Sequence, residues 1–156
     1  ACTIQFIDEQ DEPAGSWPLD QATTTYAAIK DTLPKENCIA HPSVMGRSSV
    51  FKQYGYASHQ KNIEDYDLWL RLAADGHVIE KVNRNLLLYR VHTQSVTSVH
   101  LQKGNTFLKL YHCKKRFLWH RIRAGKFNGF VARVSAWMLY DLVMAPLKTI
   151  KRKMKG

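Results

Sequence analysis

Residues 63–73 constrain the fold of this chain more strongly than any other segment. They open with Glu64, Asp65 and Asp67 and continue as an apolar run at helical spacing. Gly76 follows as a predicted left-handed end cap. Because apolar residues occupy most sides of this helix, we expect it to be buried. Its acidic start can hold a carboxylate rigidly at the floor of a cleft, although carboxylates at this position also commonly act as caps and dipole partners.

Length and cysteine content place the chain among globular domains. A chain of 156 residues is long enough for one domain with a real core. Cys2, Cys38 and Cys113 are odd in number and widely spaced, which predicts a reducing compartment and neither a disulfide framework nor a zinc site. Residues 1–12 mix apolar and acidic residues, so they do not resemble a signal peptide.

Charge is distributed very unevenly along the chain. Residues 1–36 carry a net charge of −5, whereas residues 101–156 carry fourteen Lys or Arg and one acid, Asp141. The overall charge of +10 therefore belongs to the C-terminal part. Such a basic segment is typical of binding to anionic lipid, nucleic acid or another polyanion.

The remaining pattern predicts alternating strands and helices. We expect a strand over residues 2–8, a helix over 21–32 capped by Asp20, an interrupted strand over 37–45 and a helix over 47–54 that ends at Gly55. Residues 77–82 and 86–92 read as two short strands joined at residues 83–85, and residues 93–98 as a polar connector. Helical periodicity then covers residues 101–123 and 127–145, with Pro146 as the predicted end.

Three motifs occur in order along the first two thirds of the chain. They are Asn37-Cys38-Ile39-Ala40-His41-Pro42-Ser43-Val44-Met45 followed by Arg47, Glu64-Asp65-Tyr66-Asp67-Leu68-Trp69-Leu70-Arg71, and Leu87-Leu88-Tyr89-Arg90-Val91-His92. Together they resemble the second half of a bacterial family 2 glycosyltransferase domain, which has the A-type, Rossmann-like α/β fold. The resemblance covers roughly residues 4–98 and implies a partial catalytic domain over residues 1–98, followed by a basic tail of amphipathic helices over residues 99–156.

The resemblance implies an inverting transferase that uses a nucleotide sugar. Asp65 matches the family's catalytic base, and Glu64 matches the acid beside it that orients the acceptor or nearby backbone. His41 matches a strand that lines the substrate site; a buried histidine bonded to backbone is the alternative. Arg90 is expected either to bind phosphate oxygens or to form an ion pair with Asp65 or Asp67.

The resemblance also implies a divalent cation, Mg or Mn, that stabilises the leaving diphosphate. His92 matches a position that approaches the metal in some relatives. The main ligands belong to an Asp-x-Asp motif in the donor-binding half, and that half is missing from this sequence. Asp65-Tyr66-Asp67 has the letters of the motif but lies within the predicted helix. We therefore expect this chain alone to be inactive.

The basic tail allows two interpretations. Residues 127–147 are apolar, but Arg133 and Asp141 would each cost about 2.5–3.5 kcal/mol near a bilayer centre, which argues against spanning. A membrane-surface segment would bring Lys148 and the basic residues after it to anionic headgroups. The alternative is that these helices pack on the catalytic domain and present their charges to water.

Two functions follow from the sequence. The first is a cytoplasmic transferase, either free or peripheral on the inner face of the cell membrane, that adds sugar to a polysaccharide or lipid-linked acceptor. The second is a non-enzymatic module that binds a polyanion or a membrane surface through its basic helices. Nucleic acid is not an expected partner, because the tail aromatics Phe107 and Tyr111 follow the spacing of a helix core.

Overall fold

The structure, a computed structural model, describes residues 1–58, 60, 62–92 and 105–153, with side chains up to residue 150. The predicted connector 93–98 and the predicted domain boundary after residue 98 lie outside these residues. The elements in chain order are β1 (Cys2–Ile7), α1 (Pro18–Ala22), α2 (Tyr26–Thr32), a 3-10 turn (His41–Ser43), α3 (Ser48–Tyr54), α4 (Glu64–Ala74), β2 (Val82–Arg90), α5 (Thr106–Arg123) and α6 (Gly129–Lys153).

Helix α4 forms the centre of the core, as predicted. Eight of its 11 residues are buried, including Trp69 and Tyr66. The Tyr66 hydroxyl donates to the carbonyl of Leu33 at 2.7 Å, which satisfies its polar atom inside the core. Gly76 has φ +83°, the left-handed conformation expected just after the helix.

The two strands form a parallel pair. Ile4 lies opposite Leu87, and Ile7 lies opposite Arg90. The prediction of two strands joined at residues 83–85 was wrong, because a single strand runs through these polar residues. Thr3 pairs with Asn85 in the ladder, so β1 supplies the hydrogen bonds that hold this segment extended. Its polar side chains are exposed and need no turn to reach water.

A buried ion pair ties α1 to the segment before β2. The Lys81 ammonium lies 2.8 Å from Oδ1 of Asp20, and both side chains are fully buried. Oδ2 of Asp20 accepts from the backbone nitrogen of Ile4 at 2.9 Å, so the carboxylate also fastens β1. The prediction that Asp20 caps a helix over residues 21–32 was wrong. That segment instead forms α1 and α2, and Thr25 caps α2.

The segment before α3 departs from the predicted interrupted strand over residues 37–45. It contains the 3-10 turn at His41–Ser43, with Pro42 in its first turn. Proline has no backbone N–H to donate to a ladder and fits the start of a helical turn, which explains the difference. Helix α3 and its end at Gly55, where φ is +57°, are as predicted.

Helices α5 and α6 pack on α4 and share its core. Cys113 and Phe117 of α5 and Val131 and Val134 of α6 are fully buried in one cluster with α4. The three cysteines are free and buried, and each packs as a small apolar side chain.

Two polar ties hold α6 in place. The Lys114 ammonium on α5 lies 2.6 Å from Oδ2 of Asp141, and both groups are buried. Asn128 donates to the carbonyl of Ala74 at the end of α4, and its Oδ1 accepts from the nitrogen of Val131. One amide therefore caps two helix ends.

Helix α6 continues past Pro146 to Lys153, so the predicted end at Pro146 was wrong. A proline inside a helix removes the hydrogen bond to the carbonyl four residues earlier, which here belongs to Leu142. Leu142 and Pro146 are both exposed. Water can therefore satisfy that carbonyl, and packing on α5 keeps the helix continuous.

We predict that Lys81→Met lowers the free energy of unfolding by about 3–5 kcal/mol, because it leaves the Asp20 carboxylate buried and unpaired. Urea denaturation measures the loss. Lys35→Met is the matched control, since Lys35 pairs with Glu36 and their side chains are 52% and 41% exposed. The control should cost less than about 1 kcal/mol. Equal losses in both variants would contradict the assignment.

Candidate active site at the acidic start of α4

Asp65 is held by a residue that is distant in sequence. It lies in the first turn of α4 and is half-buried. The amide Nδ2 of Asn37 donates to Oδ2 of Asp65 at 3.0 Å. Asn37 is itself oriented, because its Oδ1 accepts from the backbone nitrogen of Ile39 at 3.1 Å. Within the described part of the chain, Asn37 is the hydrogen-bond partner of Asp65, and Asp65 does not cap its own helix.

Glu64 makes a local contact instead. Its Oε2 accepts from the backbone nitrogen of Ile63 at 2.9 Å, at the residue just before α4. Ile63 occupies the cap position and has no side-chain oxygen to offer. Glu64 thus stabilises the helix start, while Asp65 is tied to another segment. The two neighbouring carboxylates have different surroundings.

A hydrogen-bonded histidine and tyrosine lie beside this region, and the tyrosine is in the field of the two carboxylates. Nε2 of His41 and the hydroxyl of Tyr56 are 2.8 Å apart. Partial burial raises the pKa of Tyr56 above its usual value, and the charges of Asp65 and Glu64 raise it further. His41 is exposed, which contradicts the alternative of a buried histidine bonded to backbone. Tyr56 is 49% exposed, so the pair faces solvent beside Glu64 and Asp65, which we name the acidic cluster.

Helix α5 contributes a cation to the same region. Nζ of Lys109 donates to the carbonyl of Asn62, close to the start of α4. Burial lowers the pKa of Lys109, while the charges of Asp65 and Glu64 oppose that shift. Lys109 is one of many basic residues in residues 101–156 and is not part of a recognised motif. The sequence therefore gave no indication that it lies near the start of α4. Asn37 and Tyr56 stood inside or near the recognised motifs but had no assigned role.

Arg90 lies at the end of the sheet. Its guanidinium donates to the carbonyl of Asp8 and to the carboxylate of Asp11, in the loop that follows β1. The predicted ion pair with Asp65 or Asp67 is not formed. The register explains this, because Arg90 pairs with Ile7 and therefore lies beside the residues that come next.

His92 follows β2 by two residues and is exposed. Over the described ranges, no group of three or more His, Cys, Asp or Glu side chains is placed to hold a metal ion. A single imidazole does not make a site for Mg or Mn, which prefer oxygen ligands. The role of His92 as a metal ligand stays a prediction.

Asp67 and Arg71 occupy a different side of α4 and have a structural role. Nε of Arg71 lies 2.9 Å from Oδ2 of Asp67, and its two terminal nitrogens each donate at 2.7 Å to the carbonyls of Tyr54 and Gly55. This fork fastens the end of α3 to α4.

A cavity of about 360 Å³ opens beside Arg71. Its lining includes Tyr54, Asp75, Phe117 and Arg121, and Asp65 is not part of it. Positions 65 and 67 lie two residues apart on a helix, so their side chains point to different faces. Tyr56 lines the cavity and also feels the charge of Asp65, so it lies between the two regions.

We predict that Asp65→Asn lowers the pKa of Tyr56, because a nearby negative charge disfavours the phenolate and its removal relieves that effect. Titration of ¹³C-labelled tyrosine ring carbons by NMR measures the shift. Asp31→Asn removes an exposed carboxylate that is paired with Arg133 and serves as the control, with no shift expected. An unchanged Tyr56 titration in Asp65→Asn would contradict the placement of these groups.

Comparison with known proteins points to sugar transfer. The chain is 43% identical over 95 residues to the O-antigen biosynthesis glycosyltransferase WbnJ of Escherichia coli, a match that covers 59% of this chain and 35% of that protein. It is 28% identical over 126 residues to the uncharacterized glycosyltransferase MJ1057 of Methanocaldococcus jannaschii, covering 74% of this chain and 43% of that protein. No protein-family model matches the chain, and no solved structure matches it. The chain thus spans less than half the length of these relatives, and it is related to glycosyltransferases.

Proposed function

We propose that this chain is the acceptor-side part of an inverting, nucleotide-sugar-dependent glycosyltransferase of family 2, in which Asp65 is the general base. One observation carries the proposal. A half-buried carboxylate at the start of a buried helix is held by Asn37 and is not used to cap its own helix. Similarity to two glycosyltransferases supports the reaction class.

The chemistry requires a base at a fixed position. The acceptor hydroxyl oxygen forms a bond to the anomeric carbon of the donor sugar, and the bond from that carbon to the phosphate oxygen breaks. The electron pair of the broken bond leaves with the nucleoside diphosphate, and the hydroxyl proton passes to Asp65. Asn37 donates to Oδ2 of Asp65, and we assign the proton to the other oxygen, Oδ1. Holding the carboxylate by a second segment restricts its rotation, which favours a productive geometry.

His41 and Tyr56 are proposed to contact the acceptor. Both are exposed and hydrogen-bonded to each other, and Tyr56 is close enough to Asp65 to feel its charge. An exposed tyrosine ring offers an apolar face and a hydroxyl, which suits the mixed surface of a sugar. Glu64 is proposed to support this region by fixing the backbone at Ile63.

Arg90 is proposed to bind phosphate oxygens of the donor. Its present partner, Asp11, is 73% exposed and Arg90 is 45% exposed, so the pair is weak and can exchange for a phosphate at little cost. The described residues do not form a site that fits a divalent cation. We therefore assign no step to a metal bound by this chain. Mg or Mn, with His92 as a minor ligand, remains our expectation for an enzyme that also contains the donor-binding part.

The acceptor class is proposed from the relatives. WbnJ is named for O-antigen biosynthesis, which supports a polysaccharide or lipid-linked glycan as acceptor. A cytoplasmic location at the inner face of the cell membrane would bring the chain to such an acceptor and to nucleotide sugars.

We predict that Asp65→Asn reduces sugar transfer by about 10²–10⁴-fold, the usual contribution of a positioned acid or base. The assay uses a polypeptide that restores the full length of the relatives and measures release of nucleoside diphosphate from nucleotide sugars with glycan acceptors. The 156-residue chain alone should be inactive. Asp31→Asn, which removes an exposed carboxylate that is distant in sequence from Asp65, should retain activity within about twofold.

Unchanged activity in Asp65→Asn would overturn the assignment of the base. A second candidate function, binding of a polyanion without catalysis, is supported by the charge of residues 101–156. It predicts binding to DNA that weakens steeply with salt and is unaffected by Asp65→Asn. The two functions are separated by measuring transfer and DNA binding on the same variants.

A further inference from the structure

Helix α6 has two apolar faces, and the core covers one of them. Its inner face packs on α4 and α5 through Phe130, Val131 and Val134, which are at most 6% exposed. Its outer face is a stripe at spacings of three and four residues, which we name the outer stripe: Ala132, Ala136, Leu139, Val143, Leu147 and Ile150. The four large members are 53–61% exposed, so the described residues leave this face uncovered.

These two faces explain why α6 resembles a membrane-spanning helix. Gly129–Ile150 form a stretch that is long and apolar enough to cross a bilayer by length and composition, and most of its residues are not buried in the structure. To span a bilayer, α6 would have to leave α5. That would expose the core residues of its inner face and break the buried ion pair between Lys114 and Asp141. In the packed structure the outer stripe can contact lipid without any of these losses.

We propose that the outer stripe of α6 lies flat on a bilayer surface that carries anionic headgroups. Charge complementarity selects this occupant. Residues 101–156 carry a net charge of +13, and Lys151, Arg152, Lys153 and Lys155 follow directly after the stripe. A basic helix with an exposed apolar side matches the mixed apolar and anionic character of such a surface.

The same observations argue against other occupants of the outer stripe. Two copies of this chain joined through the stripe would bring two strongly positive tails together, which is electrostatically unfavourable. Nucleic acid would engage the lysines and arginines but would leave the apolar side chains in water. The inference does not depend on Asp65, so its failure and the failure of the proposed catalytic role are distinguishable.

Vesicle co-sedimentation of the full 156-residue chain tests the proposal. Vesicles of phosphatidylcholine with phosphatidylglycerol should pellet the protein, and pure phosphatidylcholine should pellet it much less. The variant Leu139→Ser, Val143→Ser, Ile150→Ser should lower the partition coefficient by about 100-fold, because three apolar contacts with the acyl region are lost. The matched control replaces Met45, Val78 and Leu88 by Ser; these are 90%, 67% and 64% exposed and should change binding by less than about twofold.

A site-specific probe provides a second measurement. All three native cysteines are buried, so a cysteine introduced by Val143→Cys can be labelled selectively with an environment-sensitive fluorophore. We expect its emission to shift to the blue on addition of anionic vesicles, whereas the same label at Val78→Cys should not respond. Asp65→Asn should bind vesicles like the parent chain.

Three results would overturn the proposal: no binding of the parent chain to anionic vesicles, full binding by the Ser variant, or equal binding to neutral vesicles. Analytical ultracentrifugation adds a fourth. If the parent chain is a dimer, the Ser variant a monomer and neither binds vesicles, the stripe is an interface between copies of this chain.

Discussion

Burial of α4 is the constraint on which the rest of the structure depends. The helix contacts segments that come before and after it in the chain. The carbonyl of Leu33 accepts from the Tyr66 hydroxyl, and Phe117 packs in the same cluster as Trp69. Each large apolar side chain that is fully buried contributes roughly 1.5–3 kcal/mol, so a helix with this many of them cannot shift without unfolding its surroundings. Its start is consequently rigid. The position of Asp65 is therefore set by the packing of core residues that take no part in the proposed reaction.

Buried ion pairs also help to fix how the segments of the chain pack together. Lys81 with Asp20, and Lys114 with Asp141, are buried pairs that join segments distant in sequence. Such pairs do not add much net stability over apolar residues, but a misplaced partner leaves a buried charge unpaired, so they select one arrangement of the chain. Arg71 has a similar effect at α3, where its nitrogens meet the carbonyls of Tyr54 and Gly55. Part of what reads as surface charge in the sequence is therefore internal structure.

The acidic cluster and the outer stripe of α6 both depend on how a helix is buried. The first is rigid because the helix beneath it is buried, and the second is available because α6 is buried on one side only. Lys109 links the two regions, since it lies on α5, which packs on α6, and donates to Asn62 close to the start of α4. A transferase held on a membrane by α6 would keep its acidic cluster at a fixed height above the lipid, where a lipid-linked acceptor could meet it.

Several elements were predictable because a local pattern decides them. The buried helix over residues 64–74 followed from its apolar spacing, and the ends of α3 and α4 followed from Gly55 and Gly76, which adopt backbone angles that other residues rarely take. The strand over residues 2–7 followed from alternation. The motif around Asp65 placed a carboxylate at a helix start, and the structure has it there.

Other features depended on partners that no local pattern contains. Asp20 was predicted to cap a helix because only its neighbours in sequence were informative. Its partner in the structure is Lys81, which lies 61 residues away. Residues 83–85 were predicted to form a turn. They are held extended by β1, which lies near the start of the sequence and is not part of any local pattern around them. For Arg90 the sequence left phosphate binding and an ion pair with Asp65 or Asp67 open; in the structure Arg90 pairs with Asp11, since strand register decides which charges become neighbours.

The sequence by itself determined which segments are apolar, where helices stop and that a carboxylate stands at the start of the central helix, since these depend on side-chain periodicity and backbone sterics within a few residues. Only the tertiary structure decided which carboxylate oxygen is occupied, which cations are internal and which apolar face of α6 meets solvent. These follow from long-range packing, in which the burial of one face of a helix is set by elements far away in the chain.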